Sequence, residues 1–126
     1  MASLLTTVGI QGIINALNGG SHTPPVHIGW GTGTTAPAAG NTALETAGAE
    51  DRTSGTKSVT TTTVTDDTYQ VTGTITSLST QTISEAALFD AATGGNMYMR
   101  GTFTGIALEE DDAIAFTIKI VGADNS

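Results

Sequence analysis

The sequence predicts a mainly β protein, an antiparallel β-sandwich or barrel of about six strands with one short N-terminal helix. From Thr56 onward, apolar and polar residues alternate with a period of two, the pattern of strands that bury one face. Turns rich in Gly, Asn and Asp separate these segments. The 126 residues predict a single domain. We divide it into an N-terminal helix or arm and linker over 1–25, a β core over 26–121 and a tail over 122–126.

Residues 4–17 form the one predicted helix. Its apolar side chains recur every three or four residues, Thr6 or Thr7 is placed to cap the first turn, and an Asn-Gly-Gly sequence ends it. Gly9 and Gly12 each cost a helix interior about 1 kcal/mol relative to Ala, so we expect the helix to depend on packing. It either covers one end of a sheet or is an arm that docks on a partner.

The first predicted strand begins at Val26 and carries a glycine at every second position. Gly29, Gly31 and Gly33 leave one face almost without side chains, which predicts the close approach of another backbone. Pro37 ends the strand because it has no N–H to donate to a ladder.

A loop over residues 40–55 follows, and a loop this long in a small domain is often functional. The other interpretation is a flexible surface loop in which Arg52 pairs with Glu50 or Asp51. Together, the glycine-rich strand and this loop supply the residues predicted to contact another subunit or another protein: Gly29, Trp30, Gly31, Gly33, Leu44 and Arg52.

Five further strands are predicted over 56–65, 68–77, 82–90, 97–105 and 113–121. The last alternates most regularly, with Ile114, Phe116, Ile118 and Ile120 facing inward. Glu85 lies among apolar residues of the 82–90 strand. It either faces solvent or is buried and matched by a partner such as Arg100.

Composition and motifs argue against several functions. The net charge of −8, with only four Lys and Arg residues, argues against a nucleic-acid partner, and the opening apolar segment is too interrupted for a membrane span. The acidic run 109–112 lacks the alternating ligand spacing of a calcium loop, and His22 and His27 have no partner at ligand-like spacing. No nucleophile-elbow or phosphate-loop motif occurs. We therefore predict no enzyme activity, no cofactor and no metal site.

Four blocks of the sequence carry a family resemblance: HIGWGTGTTAPAAGNTALETA, DDTYQVTGTIT, ISEAALFDAATGGNMYMRGTF and IALEEDDAIAFTIKIV. They resemble the small β-rich virion proteins of tailed bacteriophages, which are found among capsid decoration (cement) proteins and within tail-fibre or baseplate proteins. The resemblance spans residues 26–121, and it carries over no individual functional residue.

The resemblance implies a virion structural protein. The main hypothesis is a homotrimeric capsid decoration protein on the outer surface of the capsid, which binds the major capsid protein and stabilises the head. The alternative is a tail-fibre or baseplate module that contacts a host surface. Trp30, Tyr69 and Tyr98 are the side chains suited to stacking on a host glycan.

Overall fold

Two antiparallel sheets pack face to face in the computed structural model, which describes residues 2–122. Residues 123–126 of the predicted tail lie outside the described residues. In chain order the elements are β1 (Ala2–Leu5), α1 (Thr7–Leu17), β2 (His27–Gly31), β3 (Thr53–Ser54), β4 (Thr56–Thr60), β5 (Thr68–Thr76), β6 (Gln81–Phe89), β7 (Met97–Leu108) and β8 (Ala113–Val121). The larger sheet has the order β1-β7-β6-β2-β3 and the smaller β4-β5-β8. The predicted mainly β sandwich is confirmed, with β1 and the two-residue β3 as additional strands.

The first residues of the predicted helix form a strand instead. Leu4 and Leu5 pair with Arg100 and Met99 of β7, because β7 offers a free edge at this point. Thr6 then accepts a hydrogen bond from the Gly9 N–H (2.9 Å), so the helix begins at Thr7. No helix within residues 2–122 is long and apolar enough to cross a membrane.

The core lies between the two sheets. Ile28, Trp30, Ile83 and Leu88 of the larger sheet pack against the inward side chains of the smaller one, of which Val71 is fully buried. The alternation predicted for β5 and β8 is confirmed, because their inward residues face each other across the ladder and reach this core.

One side of the sandwich is open between β7 and β8. Ile114, Phe116 and Ile118 face inward but are only partly buried. A groove of about 700 Å³ separates them from Met99 and Phe103 of β7. The apolar face of β8 is therefore incompletely covered within one chain.

The outer face of the larger sheet has two coverings. At one end α1 packs on β7, where Gly9 and Gly12 lie against Tyr98. Over the middle, the chain between β2 and β3 folds back across β2 and β6. Of the residues predicted to contact a partner, Gly29, Gly31, Gly33, Leu44 and Arg52 lie in or under this second covering, whereas the Trp30 side chain points into the core.

Candidate functional site: the covered outer face of the large sheet

Glu85 of β6 is fully buried at the centre of this face. Its carboxylate accepts hydrogen bonds from the backbone N–H groups of Gly33 (2.8 Å), Glu45 (2.9 Å) and Thr46 (2.8 Å). The Arg100 Nε–H also donates to it, at 3.0 Å. One carboxylate therefore fixes both ends of the segment that leaves β2 and returns to it.

Arg100 holds the same segment from β7. Besides Glu85, its guanidinium donates to the Asn41 side-chain oxygen (3.2 Å) and to the Thr35 carbonyl (3.0 Å), and it is only 2% exposed. Of the two interpretations of Glu85, the structure shows the buried, paired one. A buried charge pair of this kind stays favourable because hydrogen bonds satisfy both partners.

The pKa of Glu85 follows from this environment. Burial opposes ionisation, but the N–H donors of Thr46 and Glu45, the Arg100 guanidinium and the Gly33 N–H outweigh it and hold the pKa below the ordinary value. Glu85 is therefore a charged structural anchor at neutral pH.

The glycine face of β2 is filled by the chain's own loop. A Cβ at Gly31 would overlap the Thr46 carbonyl, and Gly31 forms a β-bridge with Ala47. The Thr32 N–H donates to the Thr46 carbonyl at 2.9 Å, in line with the same pairing. The predicted close approach of another backbone is confirmed, and the approaching backbone belongs to this chain.

Arg52 and Leu44 complete the packing next to Gly29. The Arg52 guanidinium stacks on the Phe89 ring at 3.4 Å from its centroid and donates to the Ala91 and Gly94 carbonyls, each at 2.8 Å. Leu44 packs on the cluster that contains Phe89. Arg52 thus ties the loop to the turn after β6, and its recorded partners are carbonyls instead of Glu50 or Asp51.

Glu50 ties the end of the loop to β2 and to the β5–β6 connection. Its carboxylate accepts hydrogen bonds from Trp30 Nε1–H (2.8 Å), the Leu78 N–H (2.8 Å) and the Gln81 side chain (2.7 Å). Burial opposes its ionisation, yet these donors, with that of Leu78 foremost, lower its pKa below the ordinary value.

The six predicted contact residues therefore lie close together, but most are covered by their own chain. Gly29, Trp30, Gly31 and Gly33 are buried, while Leu44 and Arg52 are half-buried. Their contact with a partner stays a prediction.

The arrangement has the chemistry of a structural support. Glu85 and Glu50 are both saturated by donors of their own chain, as described above. Among residues 2–122 no cluster of three or more His, Asp or Glu side chains is placed to hold a metal ion. In the acidic turn, Asp112 accepts from the Glu109 N–H at 2.8 Å. The absence of enzyme activity, cofactor and metal stays a prediction.

The aromatic side chains proposed for glycan stacking are used inside the fold. Trp30 is 2% exposed and Tyr98 is 5% exposed. Tyr69 is half-buried, and its hydroxyl donates to the Pro25 carbonyl at 2.7 Å. Their faces are therefore not displayed as a sugar-binding platform.

Sequence reasoning did not identify the apolar surface that the helix leaves exposed. Ile10, Ile14 and Leu17 of α1 point away from the sheet. A signal for this was present, because Gly9 and Gly12 mark the face of the helix on which another backbone can approach closely. The large side chains then had to lie on the other face.

The sequence was compared with known protein families and with curated proteins. The family model described as Podophage GP4 fiber I protein gp80 matches residues 5–123, nearly the whole chain. A search of curated proteins found no match.

Proposed function

Since this chain belongs to the podophage GP4 fiber I protein gp80 family, we propose that this virion structural protein is a building block of a phage tail fibre. The observation that carries the proposal is the family match over residues 5–123. The family description favours the tail-fibre alternative over capsid decoration. Binding to the major capsid protein and a position on the outer capsid surface stay predictions.

The architecture suits a mechanical role. The loop between β2 and β3 is fixed to the sheet by Glu85, Arg100 and Arg52, three charged side chains whose hydrogen bonds stay within the chain. Such anchoring gives a stiff module, since local opening requires breaking several buried hydrogen bonds together.

We favour a structural segment of the fibre over a sugar-binding tip. The support is the burial of Trp30 and Tyr98, since glycan recognition by stacking requires an exposed aromatic face. Contact with a host surface is then left to another part of the fibre.

We propose that the module works as a homo-oligomer, with the trimer predicted from the sequence as the expected state. The half-buried side chains of β8 and the open groove beside them support this, because apolar surface of that kind is typical of proteins that associate. Cyclic symmetry would also let identical copies surround a fibre axis.

Immuno-electron microscopy of intact phage particles tests the proposed location. An epitope inserted at Gly40 is suitable, because a side chain built there has open space around it. We expect antibody label on the tail fibres and none on the capsid surface, with untagged particles as the control. Label spread over the capsid would overturn the fibre function and support decoration of the head.

A further inference from the structure

Helix α1 turns its small residues toward the protein. Gly9 is the buried residue of the helix, and a Cβ at this position would overlap the Tyr98 backbone. Gly12 lies against the Tyr98 ring, where a Cβ would overlap the hydroxyl group. The helix therefore reaches β7 by close backbone approach at its glycines, with Val8 and Ile13 half-buried beside them.

Three large apolar side chains of the helix are exposed on the other face. Ile10 is 47% exposed, Ile14 is 58% exposed and Leu17 is 80% exposed. Their spacing of four and then three residues places them in one stripe along the helix. This is the spacing of the a and d positions of a coiled-coil seam.

The stripe is larger than scattered surface residues would give. From their exposed fractions the three side chains present on the order of 300–400 Å² of apolar surface, the size at which a patch is often functional. Beside Leu17, a groove of about 580 Å³ extends the apolar surface along Val59, Tyr69 and Ile120. Val59 is itself 62% exposed.

Charge favours a second copy of this chain as the occupant. The net charge is −8, yet no Asp, Glu, Lys or Arg precedes Glu45 in the sequence. The helix therefore brings no charged side chain to a contact between two acidic copies, and the aspartates Asp66 and Asp67 lie in the groove beside Leu17. Every copy also presents a stripe of the same spacing, as a symmetric interface requires.

The exposed area of the stripe is compatible with contact between two copies of the chain. A standard interface buries about 800 Å² on each partner, and the stripe alone supplies roughly half of that. The groove beside Leu17 adjoins the stripe and adds a smaller area of apolar surface. The stripe can therefore form the centre of a contact between copies, with its neighbouring surface at the rim.

We propose that copies of this chain associate through α1, with the stripe Ile10, Ile14 and Leu17 of one copy packed against the same stripe of the next. The inference rests on the part of the proposed function that makes the chain an oligomer. It does not depend on where in the virion the protein lies.

Cysteine cross-linking tests the contact, since the chain contains no cysteine. Ile14→Cys places one thiol in the middle of the stripe. Leu78→Cys is the matched control, because Leu78 is 66% exposed and lies in a loop away from α1. Under mild oxidation we expect most Ile14→Cys protein to form covalent dimers and Leu78→Cys to stay largely uncross-linked, because a disulfide requires Cα atoms within about 7 Å. Equal cross-linking of the two variants would overturn the proposal.

Light scattering of a second pair of variants measures the same interface without a covalent bond. We expect Ile14→Gln to weaken the wild-type oligomer, with a lower average mass at a given concentration, and Leu78→Gln to leave the mass unchanged. Circular dichroism checks that both are folded. A wild-type protein that is monomeric at every concentration, or an Ile14→Gln variant that keeps the oligomer mass, would overturn the inference.

These results are separable from those on function. A monomer found on tail fibres would remove the helix contact and leave the fibre role in place. An oligomer joined through α1 but found on the capsid would remove the fibre role and leave the helix contact in place.

Discussion

The loop between β2 and β3 and the helix α1 cover the same face of the larger sheet in opposite ways. The loop is attached by charged groups whose partners all lie in the same chain, as with Glu85 and Arg100. The helix is attached through glycines and leaves Ile14 and Leu17 exposed. One covering is complete in a single chain, and the other has an apolar face that a neighbour can bury. The loop, whose polar groups are buried and hydrogen-bonded, is thus the internal support. The helix, whose apolar side chains are exposed, is the proposed interface.

The largest expected effect comes from removing the cation under the loop. Arg100→Met leaves the buried Glu85 without its charged partner, so we expect a loss of about 3–5 kcal/mol in the free energy of unfolding. Chemical denaturation measures it. Lys119→Met is the control, because Lys119 is exposed on β8 and should change stability by less than about 0.5 kcal/mol. Similar losses in both variants would show that the pair does not hold the loop.

A smaller effect is expected from filling the glycine face. Gly31→Ala should cost about 1–3 kcal/mol, because the added Cβ overlaps the Thr46 carbonyl and forces the loop to move. Gly40→Ala, in open space, should stay within about 0.5 kcal/mol of wild type. If Gly31→Ala is instead as stable as wild type but loses its oligomer, the glycine face is an interface after all. Thermal melts and light scattering together distinguish these outcomes.

The glycine-rich strand β2 illustrates which part of a contact a sequence can predict. Alternating glycines in Gly29, Gly31 and Gly33 predict close approach of a backbone, because that requirement is local. They do not identify the approaching segment. Thr46 arrives through a loop closed by Glu85, a residue far along the chain. The sequence pattern alone therefore could not show that the loop of the same chain, instead of a partner, covers this face.

Local periodicity gave the strands of the core, whereas pairing between distant strands decided the exceptions. The inward residues of β8 followed from alternation alone. Leu4 and Leu5 had helical spacing and became a strand because β7 pairs with them. The length of their loop points to Leu44 and Arg52, but their packing on Phe89 depends on how that loop folds back. The helix stripe required knowing which face meets the sheet.

The smallest expected effect is on how the free energy of unfolding changes with pH. The folded-state pKa of Glu85 lies below its ordinary value of 4.5, so its ionised form is favoured by folding. The stability it contributes is fully present above pH 4.5 and is lost as the pH falls through the lower, folded-state pKa. Glu85→Gln should therefore be less stable at neutral pH and lose less stability on acidification.

Denaturation at a series of pH values below 5 measures that slope. Glu110→Gln, in the exposed turn before β8, serves as the matched control for the loss of one carboxylate. An unchanged slope in Glu85→Gln would mean that its carboxylate gains no stabilisation from the loop.

Hydrogen exchange at two protein concentrations tests the contrast between loop and helix most directly. At high concentration, where copies associate, we expect slower exchange in residues 10–17 of α1, because neighbours bury its outer face. The amides of Gly33, Glu45 and Thr46 should exchange at the same slow rate at both concentrations, since Glu85 of the same chain binds them. Helix exchange that does not change with concentration, or loop amides that become protected along with the helix, would contradict this account.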